Sequence, residues 1–511
     1  MTKTYEELKE RLASIHDLRM ARAILGWDQH TKMPPRGGEV RAEQLGTLDR
    51  VAHEAFIAED IGRLLEDLRG YEEGLDADSD EASLIRITRR DYEKAKRVPS
   101  ELRAEMTRAG AIALSAWVEA REKSDFSIFL PYLKRNLELQ HEYIACFEDL
   151  GYDTAYDVLL DDFDEGLKTE EVRAVFETLK TELVPLIAEI AERSDRADDS
   201  CLHGEFPIEG QRAIALEILQ RIGFDPESWR LDPTVHPFAM SAGTGDIRLT
   251  TRYDETELDV SLFATIHEFG HGFYEANVDP AFERTPLAEV TSMSLHESQS
   301  RMWENLVGRG LPFWRFFYPR LQATFPDQFG EVELDEYYRA INMVEPSLIR
   351  VEADEATYNL HVILRFELEQ EMLSGELALE DLPEAWNARM EDYLGIDVPD
   401  DARGVLQDVH WSGGAIGYFP TYSLGNVVSV QLWEQIRTEL PDLDAQFERG
   451  EFGQLSGWLR ENLHRHGRKY TSRQTLERIT GGGMDPGPYL RYLREKLGDI
   501  YGLTVTAGAP A

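Results

Sequence analysis

The sequence predicts a mainly α-helical protein with one short piece of β-sheet placed just before its most chemically suggestive helix. Three observations carry this. Apolar residues recur at three- and four-residue spacing over most of the chain. One stretch after Asp232 alternates instead, around a Gly/Ser-rich turn. Helical periodicity resumes at Leu258 and runs nearly to the end.

Near the N-terminus, "TYEELKERLASIHDLRMARAIL" puts Tyr5, Leu8, Leu12, Ile15 and Leu18 on one helix face. "MPPRGG" (Met33–Gly38) ends that helix, because proline lacks the N–H and glycine adds freedom. Further charged amphipathic segments follow, among them one opening at Thr169 with Glu170 and Glu171. "PTVHPFAM", "SAGTG" and "DIRLTTRYDE" then read as a β-hairpin, with Ile247 and Leu249 alternating with Arg248 and Thr250. "WSGGAIGYFPTYSLGN" (Trp411–Asn426) reads as a glycine- and aromatic-rich loop. There is no sequence repeat and no evident linker. The expectation is a single catalytic domain over 1–511, with a helical region over about 1–230 and a hairpin-plus-helices region over about 231–511.

Charge narrows the partners. Lys+Arg number 54 against 96 Asp+Glu, a formal net of -42, and the acids are spread along the chain. Such a surface repels phosphate, so nucleic acid is excluded as a partner. Only 11 of the bases are lysines, none between Lys180 and Lys469. Spread carboxylates with scarce lysine favour adaptation to a salty cytosol, where screening makes self-repulsion tolerable, over the alternative of an ordinary acidic protein. Cys146 and Cys201 have no ligand-like spacing and read as incidental thiols of a reducing compartment. The N-terminus shows no apolar signal region, and no apolar run is long enough to span a bilayer. The expected location is cytoplasmic.

The chemistry centres on "HEFGH". His267 and His271 are four apart, so on a helix they share a face, one turn from each other. Leu262, Phe263, Ile266, Phe269 and Phe273 wrap them in apolar side chains. Two neutral imidazoles there suit zinc, and Glu268 between them is placed to move a proton without ligating. This is the HExxH zinc-peptidase pattern. A third protein ligand is required. "SMSLHESQSRMWENL" offers Glu297, with His296 as its rival.

Read in order, "HPF" (His236–Phe238), "DIRLT" (Asp246–Thr250), "HEFGH", "HESQ" (His296–Gln299), "IRVEAD" (Ile349–Asp354) and "GVLQDVHW" (Gly404–Trp411) form one series. It resembles the motif series of the carboxypeptidase Taq family of metallocarboxypeptidases. "LGWDQHTKMPPRGGEVRAEQL" near the start and "GGGMDPGPYLRYLREKLGDIYG" near the end are similar to that family too, so the resemblance spans nearly the whole chain.

The resemblance implies a helical fold like that of neurolysin and angiotensin-converting enzyme, with a deep central cleft and a small sheet beside the metal helix. It implies peptide substrates, removal of single C-terminal residues with broad tolerance, and a homodimer. An oligopeptidase or dipeptidyl carboxypeptidase of the same fold is the alternative. Zinc is the expected ion, and cobalt or manganese suits the same ligands. Carried onto this sequence, the mechanism needs oxyanion donors, for which His410 and Tyr422 are the candidates, with Tyr418 as an alternative. It needs an arginine to read the terminal carboxylate: Arg350 is the family-guided choice and Arg248 on the hairpin its rival. His236 and Asp408 are expected to orient ligands or substrate.

Overall fold

The computed structural model describes residues 2–503. These are mostly helical, with one three-stranded sheet. None of the described helices is long and apolar enough to cross a membrane. No disulfide joins Cys146 and Cys201. Contacts divide the chain into two compact units, each drawn from three stretches. One gathers the chain up to Lys96, Ser200–Ile341 and Leu432–Gly481; the other gathers Arg97–Asp199, Asn342–Gln431 and the chain from Gly482.

In the first unit the opening helix runs Lys3–Thr31, and Thr2 caps it by accepting from the Tyr5 N–H at 3.2 Å. Its predicted stripe of Tyr5, Leu8, Leu12 and Ile15 is buried against Phe56, Ile61 and Leu64. Leu18 sits at the edge, half-buried. The helix stops before "MPPRGG" as the prolines require.

The sheet consists of β1 (Trp229–Pro233), β2 (Ala239–Ser241) and β3 (Ile247–Thr251), in the order β1-β3-β2. The predicted hairpin is β2–β3, antiparallel, with Met240 opposite Arg248. β1 was not foreseen. It pairs parallel to β3, with Leu231 opposite Leu249, and a parallel partner carries no turn signal between the two runs. "DIRLT" therefore lies on the central strand, paired on both sides, and β1 and β2 form the two edges.

The metal helix, Asp259–Ala276, lies against this sheet. The contact depends on Gly272, where a Cβ would fall 2.8 Å from Ile247 Cγ2 and 2.8 Å from Leu249 Cδ2. On the same helix Phe269 stacks on Trp229 at 5.5 Å and meets Trp303 edge-on at 5.1 Å. Two sequence-remote aromatics thus fix the helix that carries the histidines.

In the second unit, Phe366 of helix Tyr358–Ser374 packs edge-on against Tyr156 and Phe176. The loop expected over Trp411–Asn426 is shorter than predicted. Helix Pro420–Glu439 starts inside it, with the proline in the first turn, where its missing N–H costs nothing. Tyr422 is therefore a helical residue, whereas Tyr418 remains in the loop.

Candidate metal centre

His267 and His271 emerge one turn apart from the metal helix, their rings 4.9 Å apart and nearly perpendicular. The glutamate helix, Met293–Arg301, starts on Ser292, whose hydroxyl caps the Leu295 N–H at 3.2 Å. It brings Glu297 Oε2 to 3.6 Å from His267 Nε2 and 3.4 Å from His271 Nε2. One ligand atom from each of the three residues lies within 4.8 Å of the others.

The two helices approach this closely because of Gly270. A Cβ there would lie 2.5 Å from Gln299 O and 2.5 Å from Ser300 Cα, both main chain. Gly270 and Gly272 therefore have separate tasks: one admits the glutamate helix, the other the sheet.

The orientation of these side chains favours a cation. Glu304 Oε2 lies 2.8 Å from His267 Nδ1, which donates to it and so leaves Nε2 with a lone pair facing Glu297. Arg301 holds both carboxylates, with Nε 2.8 Å from Glu297 Oε1 and Nη1 3.3 Å from Glu304 Oε2. His271 Nδ1 is buried without a hydrogen-bond partner among the described residues; its ring is held by stacking on His296 at 4.2 Å. His296 itself turns its Nε2 to Glu275 at 3.0 Å, so the structure leaves it out of the ligand cluster.

Burial and charge then set the protonation states. Burial pushes the His271 imidazole down to about 3, keeping it neutral. Burial acts the same way on His267, but Glu297 and Glu304 outweigh it and raise that imidazole. Burial would raise Glu297, yet Arg301 and the two histidines hold it below the usual carboxylate range. Glu304 is drawn down to about 2 against its own burial, chiefly by Arg301. Glu268 behaves in the opposite way. It is buried, has no hydrogen-bond partner among the described residues, and burial pushes it up to about 7. Two nitrogens and one ionised oxygen converge, and once His267 gives up the proton its carboxylate neighbours favour, they fit a divalent metal. A carboxyl poised near neutrality beside them fits a proton-transfer role.

The other candidates cluster in the second unit. His410 Nε2 is 3.4 Å from the Tyr422 hydroxyl, and Tyr418 stacks on the His410 ring at 5.6 Å. Arg350 is buried. Its Nε and Nη2 donate to Asp408 Oδ1 at 3.1 and 2.8 Å, and Nη1 donates to the Tyr358 hydroxyl at 2.8 Å. Its guanidinium also lies 5.0 Å from the Tyr422 ring centre. Asp408 has Arg365 on its other oxygen, Nε at 2.7 Å, and the two guanidinium groups hold it well below the usual carboxylate range despite its burial. Burial lowers His410 to about 4, so it is a neutral donor at pH 7.

Arg248 is engaged elsewhere. It forms a two-pronged pair with Asp246, at 2.8 Å on each oxygen, and lies over Trp27 at 4.6 Å, the distance at which Arg230 also meets that ring. His236 is exposed and outside the ligand cluster; within "HPF" it is Phe238 that is anchored, its N–H donating to the Thr250 hydroxyl and its ring set against His30.

Sequence reasoning missed Glu304, although a signal was present. It lies seven residues after Glu297, two turns on, with Arg301 between them at a salt-bridging interval. It also missed the wide π turns of Met302–Gly308 that carry Glu304, for which no sequence signal exists. The role of Gln299 was also unseen: its Oε1 lies 2.8 Å from Nε2 of the buried His464.

Comparison with known proteins agrees with this geometry. A family model described as carboxypeptidase Taq (M32) metallopeptidase matches residues 7–497. The chain is 42% identical over 505 residues to thermostable carboxypeptidase 1 of Thermus thermophilus, covering 98% of this chain and 99% of that protein. It is 40% identical over 500 residues to carboxypeptidase 1 of Bacillus subtilis, with 98% and 99% coverage. Among solved structures, the M32 carboxypeptidase of Deinococcus radiodurans R1 superposes with a TM-score of 0.94 at 40% identity, over 98% of this chain and all of the other (100%). A Pyrococcus furiosus carboxypeptidase structure gives 0.93 at 36% identity, over 97% of this chain and 99% of the other. The mainly helical fold, the convergent ligands and the full-length matches agree: the chain belongs to the carboxypeptidase Taq (M32) metallopeptidase family and is a metallocarboxypeptidase.

Proposed function

We propose that this enzyme releases single residues from the C-termini of peptides, as one catalytic domain, with zinc held by His267, His271 and Glu297. The observation that carries the reading is the pairing of that ligand cluster with Glu268, whose carboxyl burial pushes up to about 7. A divalent ion at this site supplies Lewis acidity, polarising a carbonyl and making water more acidic.

The chain's own groups do the rest. Glu268 takes a proton from the attacking water and returns it to the leaving amine. His410 and Tyr422 donate to the developing oxyanion, with Tyr418 the alternative donor. Arg350 reads the terminal carboxylate. Three of its five N–H groups are committed to Asp408 and Tyr358, which leaves donors for a substrate. Arg248, tied to Asp246 and stacked on Trp27, is the weaker choice. Asp408 holds Arg350 in place, and His236 is a peripheral substrate contact.

A cytoplasmic homodimer adapted to high salt completes the reading; it rests on the family resemblance and on the net charge of -42. The test is mass spectrometry of a peptide digest at high salt, with and without chelator. Single-residue losses from the C-terminus, abolished by chelation and restored by zinc, are expected. Two-residue or internal cuts would instead favour a dipeptidyl carboxypeptidase or oligopeptidase.

A further inference from the structure

Between His410 and Tyr418 runs a tight segment whose shape is set from outside it. Gly414 and Gly417 both adopt left-handed backbone, with φ of 74° and 90°. A Cβ on Gly417 would meet Leu159 at 3.0 Å. From helix Phe126–Ala145, Asn136 Nδ2 donates to Trp411 O at 3.0 Å and to Ser412 O at 2.9 Å, and Gln140 Nε2 donates to Gly414 O at 2.6 Å. Both ends of the segment converge on one carboxylate. Glu369 Oε1 accepts from Trp411 Nε1 at 2.8 Å, and Oε2 accepts from the Gly417 N–H at 2.9 Å. Its remaining bond comes from the Tyr156 hydroxyl at 2.6 Å.

Glu369 is fully buried, at 0% exposure, and has no ion-pair partner among the described residues. Arg365, whose charge acts on it, is committed to Asp408 and to His361 O. Burying an unpaired carboxyl is expensive, and a packing role alone is filled more cheaply by an apolar residue. Burial pushes this carboxyl up to about 7, against the three donors. The bonded residues are next to His410 on one side and to Tyr418 on the other, and none of the three bonds to Glu369 comes from either ring.

We propose that Glu369 is a positioning residue for the reaction: by tying Trp411 to Gly417 it fixes His410 against Tyr418 and Tyr422. This deepens the reading above and rests on the donor role assigned there to His410 and Tyr422. Since the two rings must meet one developing oxygen, an ångström of slack between them costs rate more than substrate affinity.

The test uses the full-length, metal-loaded enzyme and steady-state kinetics on a peptide. Tyr422→Phe and His410→Ala come first; wild-type kcat in both would remove the donor role and this inference with it. Given losses there, Glu369→Gln should lower kcat by about 10- to 100-fold with KM and metal content little changed. Trp411→Phe, which deletes one N–H and keeps an aromatic ring, should do the same more mildly and keeps the test available if Glu369→Gln misfolds. In a Tyr422→Phe background, Glu369→Gln should cost less than about threefold more, because the two act through one constellation. Multiplicative losses in that cycle, or wild-type kcat in Glu369→Gln and Trp411→Phe, would overturn the proposal while leaving the donors intact.

Discussion

The Nδ1 atom of His267 lies 2.8 Å from Glu304 Oε2, so a carboxylate seven residues beyond Glu297 decides which nitrogen of the first histidine faces the proposed metal site. Removing it frees the ring to rotate and to exchange tautomers. Glu304→Ala is expected to weaken zinc affinity by about 10- to 100-fold while leaving turnover of the fully loaded enzyme within a few-fold. Chelator competition followed by kinetics at saturating zinc separates the two. Unchanged affinity would show that Glu304 does not brace the ligand.

Glu268→Gln is the complementary case. The side chain keeps its volume and loses its base, and it is not among the three clustered ligands. Zinc content should stay at wild-type level while kcat falls by at least about 100-fold. In the wild type, a carboxyl raised toward 7 loses its basic form as pH falls through that value. The acid side of the kcat/KM profile should therefore lie well above the ordinary carboxylate range, drawn somewhat down by the bound cation. An acid limb near pH 4 would contradict this.

The same electrostatics predict a proton count. At pH 5 to 6, Glu297 is already ionised and His271, lowered to about 3, already neutral. Only His267, raised by Glu297 and Glu304, must lose a proton to bind a metal. Measured in the Glu268→Gln variant, which removes the neighbouring carboxyl that titrates near neutrality, zinc binding at pH 5.5 should release about one proton. Calorimetry in buffers of different ionisation enthalpy reads this number. A value near two would mean that both imidazoles titrate in the ordinary range.

Gly270→Ala tests the helix contact. The added methyl would press on main-chain atoms of Gln299 and Ser300, which cannot turn aside as a side chain can. Overpacking of this kind costs about 1–3 kcal/mol. The shift falls on the glutamate helix, so zinc affinity should drop together with Tm. Wild-type affinity in the alanine variant would mean that the helices yield without moving Glu297.

Net charge carries the last prediction. With a formal charge of -42, mutual repulsion should destabilise the fold in dilute buffer. Raising KCl from about 0.1 to 1 M shortens the screening length from roughly 10 to 3 Å. Thermal stability should rise over that range. A flat or falling Tm would remove the reading of the surface as salt-adapted.

How much of this was visible in the sequence depended on the range of the interaction. The HExxH spacing, the opening helix and the β2–β3 hairpin are local patterns, and each appears where the periodicity placed it. Glu297 was reachable because the site needs a third ligand. What lay hidden was contact between distant segments: Trp229 in a parallel strand, Asp408 between two arginines, His464 against Gln299. The arginine alternatives also could not be weighed from spacing. An Asp two residues away claims Arg248, and an Asp 58 residues away claims Arg350.

The hydrogen bond between Gln299 and His464 spans 165 positions of chain. A ribosome therefore delivers His267, His271 and Glu297 long before the imidazole that holds Gln299. A polypeptide truncated ahead of residue 464 would contain every ligand and the base, yet lack the tether on the glutamate helix. The glutamate helix therefore gains this tether only after the C-terminal portion has been made.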